Sequence, residues 1–146
     1  MSPELDVKLV EKYPLIFKDR HASMQTTAMC WGFECSDGWY NIINALCFQI
    51  QSHIDWRNSQ REALLKNNPY NVKINDEVPQ VVAVQVKEKF GTLRFYVDGG
   101  DDTTDGMIRM AEAMSAVTCE VCGSPGECRG GGWIRTLCDL HAQKSA

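Results

Sequence analysis

The chain has 146 residues, 44% of them hydrophobic and 23% charged, with a formal net charge of -4 and a pI near 5.3. That is about one globular domain, and its acidic balance argues against a large electrostatic footprint on nucleic-acid phosphates. No apolar run approaches the roughly 18 residues of a membrane span, so no membrane partner is expected.

Ser2 and Pro3 make a helix start, with Ser2 as N-cap and Pro3 at the first helical position. Leu5, Leu9, Val10 and Tyr13 follow at helical spacing, and Pro14 ends that helix. Residues 21–36 predict irregular chain, with Cys30, Trp31, Phe33 and Cys35 clustered in it. Ser36 or Asp37 then caps a long helix. Trp39, Ile42, Ile43, Leu46, Cys47, Ile50 and Ile54 lay one apolar stripe along it, and it runs to about Lys66 before Asn67, Asn68 and Pro69.

From Val81 the period shortens to two. VVAVQV and TLRFYV predict a β-hairpin over residues 80–98, with Lys87 to Gly91 as its turn region. Leu93, Phe95 and Val97 share one face, and Thr92, Arg94 and Tyr96 the other. Asp98, Asp101, Asp102 and Asp105 lie around the start of the next helix. They do not follow the calcium-loop spacing and suit capping and the helix dipole. That helix carries Met107, Ile108, Met110, Ala111, Met114 and Val117 as its apolar face and runs almost directly into Cys119.

The last quarter holds the most specific pattern. Cys119, Cys122, Cys138 and His141 read C-x2-C-x15-C-x2-H, two short bites of the kind that close a tetrahedral zinc shell. Gly123, Pro125, Gly126 and Gly130 to Gly132 supply turns between the bites. Trp133, Ile134, Thr136 and Leu137 read as a short strand. Four such ligands imply a structural Zn2+. The alternative is four unligated residues in a reducing cytosol. Cys128 lies inside the finger with a spacing that matches neither bite. It is a spare thiol or a replacement ligand. Cys30 and Cys35 form a second possible thiol cluster, with Cys47 or His53 as further ligands. Trp31 and Phe33 between them favour a packed turn. The odd count of seven cysteines and the charged N-terminal stretch, which lacks a signal-peptide pattern, predict reduced thiols and a cytoplasmic location.

The expected architecture is α+β. Amphipathic helices pack on a small antiparallel hairpin sheet in one domain, 1–146. Residues 1–78 are mainly helical, 79–118 a β-hairpin plus helix, and 119–146 the zinc-binding element.

Three stretches, MCWGFECSDGWYNII, VKEKFGTLRFYVDGG and AVTCEVCGSPGECRGGGWIRTLCDLHA, together resemble an uncharacterised family of small phage- and prophage-encoded proteins. The zinc segment also resembles a treble-clef finger, with Cys119 and Cys122 in the knuckle and Cys138 and His141 at the helix start. The resemblance implies expression in a bacterial host cell and binding of a host protein, by analogy with other small phage proteins.

Deaminase and H-E-x-x-H zinc signatures are absent, and His21 and His53 lie far from the finger in sequence. A metal-dependent hydrolase or nuclease is therefore the weakest of three readings. The first is a zinc-stabilised protein that binds another protein through the finger and the adjoining hairpin. The second is a nucleic-acid-binding module, with Lys87, Lys89, Arg94, Arg129 and Arg135 forming a basic face beside Phe90, Tyr96 and Trp133.

Overall fold

The computed structural model describes residues 1–143; the last three residues of the predicted zinc-binding element lie outside that range. The described chain is α+β, with helix α1 (Pro3–Lys12), strand β1 (Phe33–Glu34), helix α2 (Tyr40–Lys66), strands β2 (Val82–Lys89) and β3 (Thr92–Asp98), helix α3 (Asp102–Ser115), strands β4 (Glu127–Arg129) and β5 (Arg135–Leu137), and helix α4 (Asp139–Gln143). Two 3-10 turns, Ala28–Trp31 and Asp37–Trp39, flank β1.

The long helix forms as its stripe predicts. Ile42, Ile43, Leu46, Cys47, Ile50 and Ile54 are all buried, and Trp39 is buried just ahead of the first turn. Beyond Ile54 the helix is held from outside. The Asn58 side chain donates to the carbonyl of Val78 and accepts its N–H, at 3.0 and 2.9 Å, which straps the segment before β2 along α2. Phe17, Phe33 and Phe95 meet edge to face in the core, with ring centroids 5.0 and 6.3 Å apart.

The sheet differs from the expectation in one respect. Residues 33–34 form a third strand that pairs parallel to β2, opposite Val86 and Lys87, so the sheet is mixed, in the order β1-β2-β3. Two residues are too short to carry a periodic signal, and Phe33 is drawn into the sheet by burial. The β2–β3 turn is also tighter than predicted. Lys87 to Lys89 belong to β2, and only Phe90 and Gly91 form the turn, with φ of 53° and 78°. Both central residues are left-handed, as a two-residue primed hairpin turn requires.

Helix α3 lies against α2 and β3, and its side chains close the outer edge of β3. Ser115 Oγ accepts the N–H of Leu93 at 2.8 Å, and Glu112 accepts that of Phe95 at 3.1 Å. Its apolar stripe is only half used. Ile108 and Ala111 are buried and Met107 packs on the core, while Met110, Met114 and Val117 are exposed. The periodicity marked the correct face, but no element covers its outer half. Met110 and Met114 instead line an open groove between α2 and α3.

Asp101 caps α3. Its carboxylate accepts the Thr104 N–H at 3.0 Å, and Thr104 Oγ1 accepts the Asp101 N–H at 2.8 Å, a reciprocal capping box. The other carboxylate oxygen sits 2.8 Å from His53 Nε2 on α2. Burial pushes the Asp101 carboxyl up, but the hydrogen bonds from His53 and from the Thr104 and Thr103 backbones outweigh it and hold it below the usual carboxylate value. A folded-state value below the unfolded one contributes stability above the unfolded pKa, which is lost as pH falls through the folded value. We therefore expect Asp101→Ala to cost about 1–2 kcal/mol near neutrality. The gap from wild type should narrow once pH falls below about 4. Urea melts of both proteins across that range check it, and a gap independent of pH would show that the carboxylate charge has no part in the cap.

Candidate metal centre

The finger begins where α3 ends. After Ser115 the chain turns, and the Cys119–Gly126 segment folds back on itself. Cys119 N–H donates to the Ser124 carbonyl at 2.7 Å and Gly123 N–H to the Cys119 carbonyl at 2.8 Å. Gly123 has φ of 79°, the left-handed conformation that lets this knuckle close. Strands β4 and β5 then pair antiparallel, with Glu127 opposite Leu137 and Arg129 opposite Arg135. Cys138 stands at the start of α4, whose first turn brings His141 back toward it. The His141 and Ala142 N–H groups both donate to the Cys138 carbonyl, at 3.1 and 2.9 Å.

This path brings Cys119, Cys122, Cys138 and His141 together, with their ligand atoms all within 4.8 Å of one another. His141 Nδ1 lies 3.6 Å from Cys119 Sγ and 3.2 Å from Cys138 Sγ, and Cys122 Sγ lies 3.8 Å from Cys138 Sγ. Zinc holds sulfur at about 2.3 Å and nitrogen at about 2.0–2.1 Å, which sets tetrahedral edges of about 3.8 Å between sulfurs and about 3.5 Å between nitrogen and sulfur. The separations of 3.6 and 3.8 Å match those edges, and that of 3.2 Å is slightly shorter. They do not match a disulfide, whose sulfurs stand about 2.0 Å apart. The donor set therefore fits a zinc ion, and the four residues would hold it with a closed protein shell that leaves no position for a reactive water.

The thiols already show what the site asks of them. Hydrogen bonds from the side chain and then the backbone of Ser124, with smaller help from Cys119 and Cys138, lower the Cys122 thiol to about 6. The His141 N–H pulls the Cys138 thiol down, but burial and the neighbouring Cys119 and Cys122 sulfurs leave it above its usual value. Sulfurs that crowd each other this way favour a shared cation over separate charges.

The remaining thiols lie elsewhere. Among the described residues, the finger tetrad is the one grouping of three or more metal-ligating side chains. Cys128 is exposed on β4 and lies outside the tetrad. Cys30 is half-buried and Cys35 buried; burial pushes the Cys35 thiol up to about 12 and raises Cys47 as well. Buried thiols held protonated in this way, Cys35 and Cys47, are poor metal ligands and poor nucleophiles.

The predicted basic face divides in two. Lys87 and Arg94 are directly opposite across β2–β3, and Gln85 faces Tyr96, so Lys87, Lys89, Arg94 and Tyr96 share the outer sheet surface. The two finger arginines are engaged by carboxylates. Arg129 pairs with Asp139 at 2.5 Å and Glu127 at 3.8 Å, and Arg135 pairs with Glu120 at 3.3 Å. Trp133 is 74% exposed on the loop between β4 and β5.

Sequence reasoning missed the seam that fixes the finger to the body. Gly38 N–H donates to the Glu120 carbonyl at 2.8 Å, and Trp39 Nε1 donates to the Thr118 carbonyl at 2.9 Å. A side chain at Gly38 would start 2.6 Å from the Gly123 nitrogen and closer still to the carbonyls of Cys119 and Glu120. Thr136 Oγ1 ties the finger to the hairpin turn by donating to the Gly91 carbonyl at 2.6 Å. These contacts join positions 45 to 79 or more residues apart, which no local pattern encodes.

No protein family, curated protein or solved structure matches the chain.

Elemental analysis should find one zinc per chain, lost in Cys119→Ser and Cys138→Ser and kept in Cys128→Ser. Metal binding must displace thiol protons, so zinc should leave as pH falls, and chelation should lower the melting temperature of the wild type but not of the two ligand variants. Full zinc content in Cys138→Ser would disprove this ligand set. Separately, Gly38→Ala should destabilise the chain by about 1–3 kcal/mol, because a rigid backbone interface is overpacked; an unchanged melt would show that the finger is not docked there.

Proposed function

We propose that this is a zinc-stabilised binding protein whose finger and hairpin present one recognition surface to another protein. The observation that carries this reading is the joining of a closed ligand set to a docked finger. The metal site serves structure, and the seam through Gly38, Trp39 and Thr136 holds Trp133 and Phe90 in fixed relation. Both aromatics are largely exposed, at 74% and 71%, on a rigid support, as an interface anchor requires. The order of knuckle, β4–β5 hairpin and ligand-bearing helix supports a treble-clef-like description of the finger.

The resemblance to phage and prophage proteins supports a phage-encoded chain acting in a bacterial cytoplasm on a host protein, with defence components as one class of target. No described helix is long and apolar enough to cross a membrane. Nucleic-acid binding is the second reading. It is favoured by the shared outer surface of Lys87, Lys89, Arg94 and Tyr96 and weakened by the engagement of Arg129 and Arg135.

An affinity pull-down from bacterial lysate, with and without nuclease, separates the two. The expected result is a stoichiometric protein that survives nuclease treatment and is lost when the finger ligands are mutated. Recovery abolished by nuclease, and falling steeply with salt, would put nucleic acid in its place.

A further inference from the structure

The surface beside the finger is specific enough to say what kind of segment it suits. Residues 87–90, at the end of β2, and residues 131–134 face each other across a cleft of about 410 Å³. Phe90, Trp133 and Ile134 form its apolar walls, and Lys87 and Lys89 form its cationic edge, with Glu88 between them and one oxygen of that carboxylate taken up by the Gly91 N–H. Phe90 is unusual on two counts. It is a bulky aromatic in left-handed backbone, with φ of 53°, at a turn position that Asn, Asp or Gly occupies without strain. It is also 71% exposed, so no burial in the free chain offsets that strain.

The charges beside it have neutral partners only: Arg94 donates to the Thr92 hydroxyl and the Leu93 carbonyl, and Lys89 Nζ lies 5.6 Å from the Phe90 ring centroid. Lys87 and Arg94 stand directly opposite each other across two paired strands, an arrangement that destabilises a sheet. Among the described residues neither they nor Lys89 has a carboxylate within salt-bridge distance. Glu34, next to Lys87 on β1, takes the Gln85 amide instead, and Glu88 takes the Gly91 N–H. An anionic group set between Lys87 and Arg94 would relieve their repulsion.

We propose that this cleft docks an acidic segment of the partner protein, with an apolar or aromatic side chain held between Phe90 and Trp133 and a carboxylate against Lys87 and Lys89. The inference rests on the protein-binding reading above and adds the chemistry of the partner. A nucleic-acid strand fits less well. Only two cations line the cleft and Glu88 lies between them, while the adjoining pocket adds Glu34 and Glu120, and its Arg129 and Arg135 are already paired with carboxylates. A long polyanion would have to cross those carboxylates, whereas a peptide with one or two acids need not.

The test uses the zinc-loaded full chain as bait for a displayed library of random peptides, followed by titration of the enriched peptides. Enriched sequences should place Asp or Glu beside an aromatic or large aliphatic residue. Affinity should fall about 30-fold or more in Trp133→Ala or Phe90→Ala, the size of an interface hot spot. It should fall at least about 10-fold in the Lys87→Glu, Lys89→Glu double variant, and the remaining affinity should lose its salt dependence. Met110→Ala, in the groove between α2 and α3, should bind as wild type. Peptides whose affinity is the same in the cleft variants, or that lack acids, would overturn the cleft proposal and leave the protein-binding reading standing. No enriched peptide, combined with salt-sensitive binding of a thymidine oligonucleotide, would overturn both.

Discussion

A single buried carboxylate joins the metal site to the rest of the molecule. Glu120 is 5% exposed and is the one charged side chain among the buried described residues. Removing an ion from water costs several kcal/mol unless hydrogen bonds and opposite charge replace the water. Here the replacement is complete. One oxygen accepts the N–H and hydroxyl of Ser36, each at 3.1 Å, and the other accepts Nε and Nη2 of Arg135, each at 3.3 Å. The Glu120 backbone is used as well, donating to the Thr136 carbonyl and accepting from Gly38. One residue thus contacts the start of α2, strand β5 and, through its position in the chain, the knuckle.

That position matters because Glu120 lies between two of the candidate metal ligands, Cys119 and Cys122. A metal closing that shell would fix the knuckle, and the fixed knuckle would aim the Glu120 carboxylate at Ser36 and Arg135. Opening the shell would release the same backbone and leave a charged group and its partners unpaired together. Metal loading and docking of the finger would therefore be coupled, although the candidate ligands lie outside the main hydrophobic cluster that runs from Leu9 to Ala111. The docking also explains why Gly38 has no side chain. The seam is backbone against backbone, and a Cβ has no space there.

Much of this was legible in the sequence wherever a periodic or spacing constraint was at work. The stripe from Trp39 to Ile54 marked the long helix, because every turn of it must face the same core. The two short bites marked the four side chains that the fold brings together, because a tetrahedral shell would require that spacing. What could not be read was partnership across long separation. Glu120 looks like a solvated acid in a zinc knuckle, and only its meeting with Ser36 and Arg135 makes it buried. Arg129 and Arg135 count as cations in any sum of charges, yet the fold neutralises both. Phe33 joins a sheet through two residues, fewer than any alternation needs. The methionines of α3 show the limit from the other side. A helical period says which way side chains point, but not whether anything lies opposite them, and Met110 and Met114 face open space.

The same contrast identifies the surface that the fold leaves unfinished. Within the finger, charge and burial agree. Its arginines meet carboxylates, its knuckle glycine takes the left-handed turn, and its ligands close on one another. At the tip of the neighbouring hairpin several local rules fail together. Like charges face each other across the strands, an aromatic residue occupies a left-handed position, and two large rings stand in solvent. Each feature alone costs little and has many precedents on protein surfaces. Their convergence on one cleft is different, because a folded chain violates its own local preferences mainly where something outside it supplies the compensation.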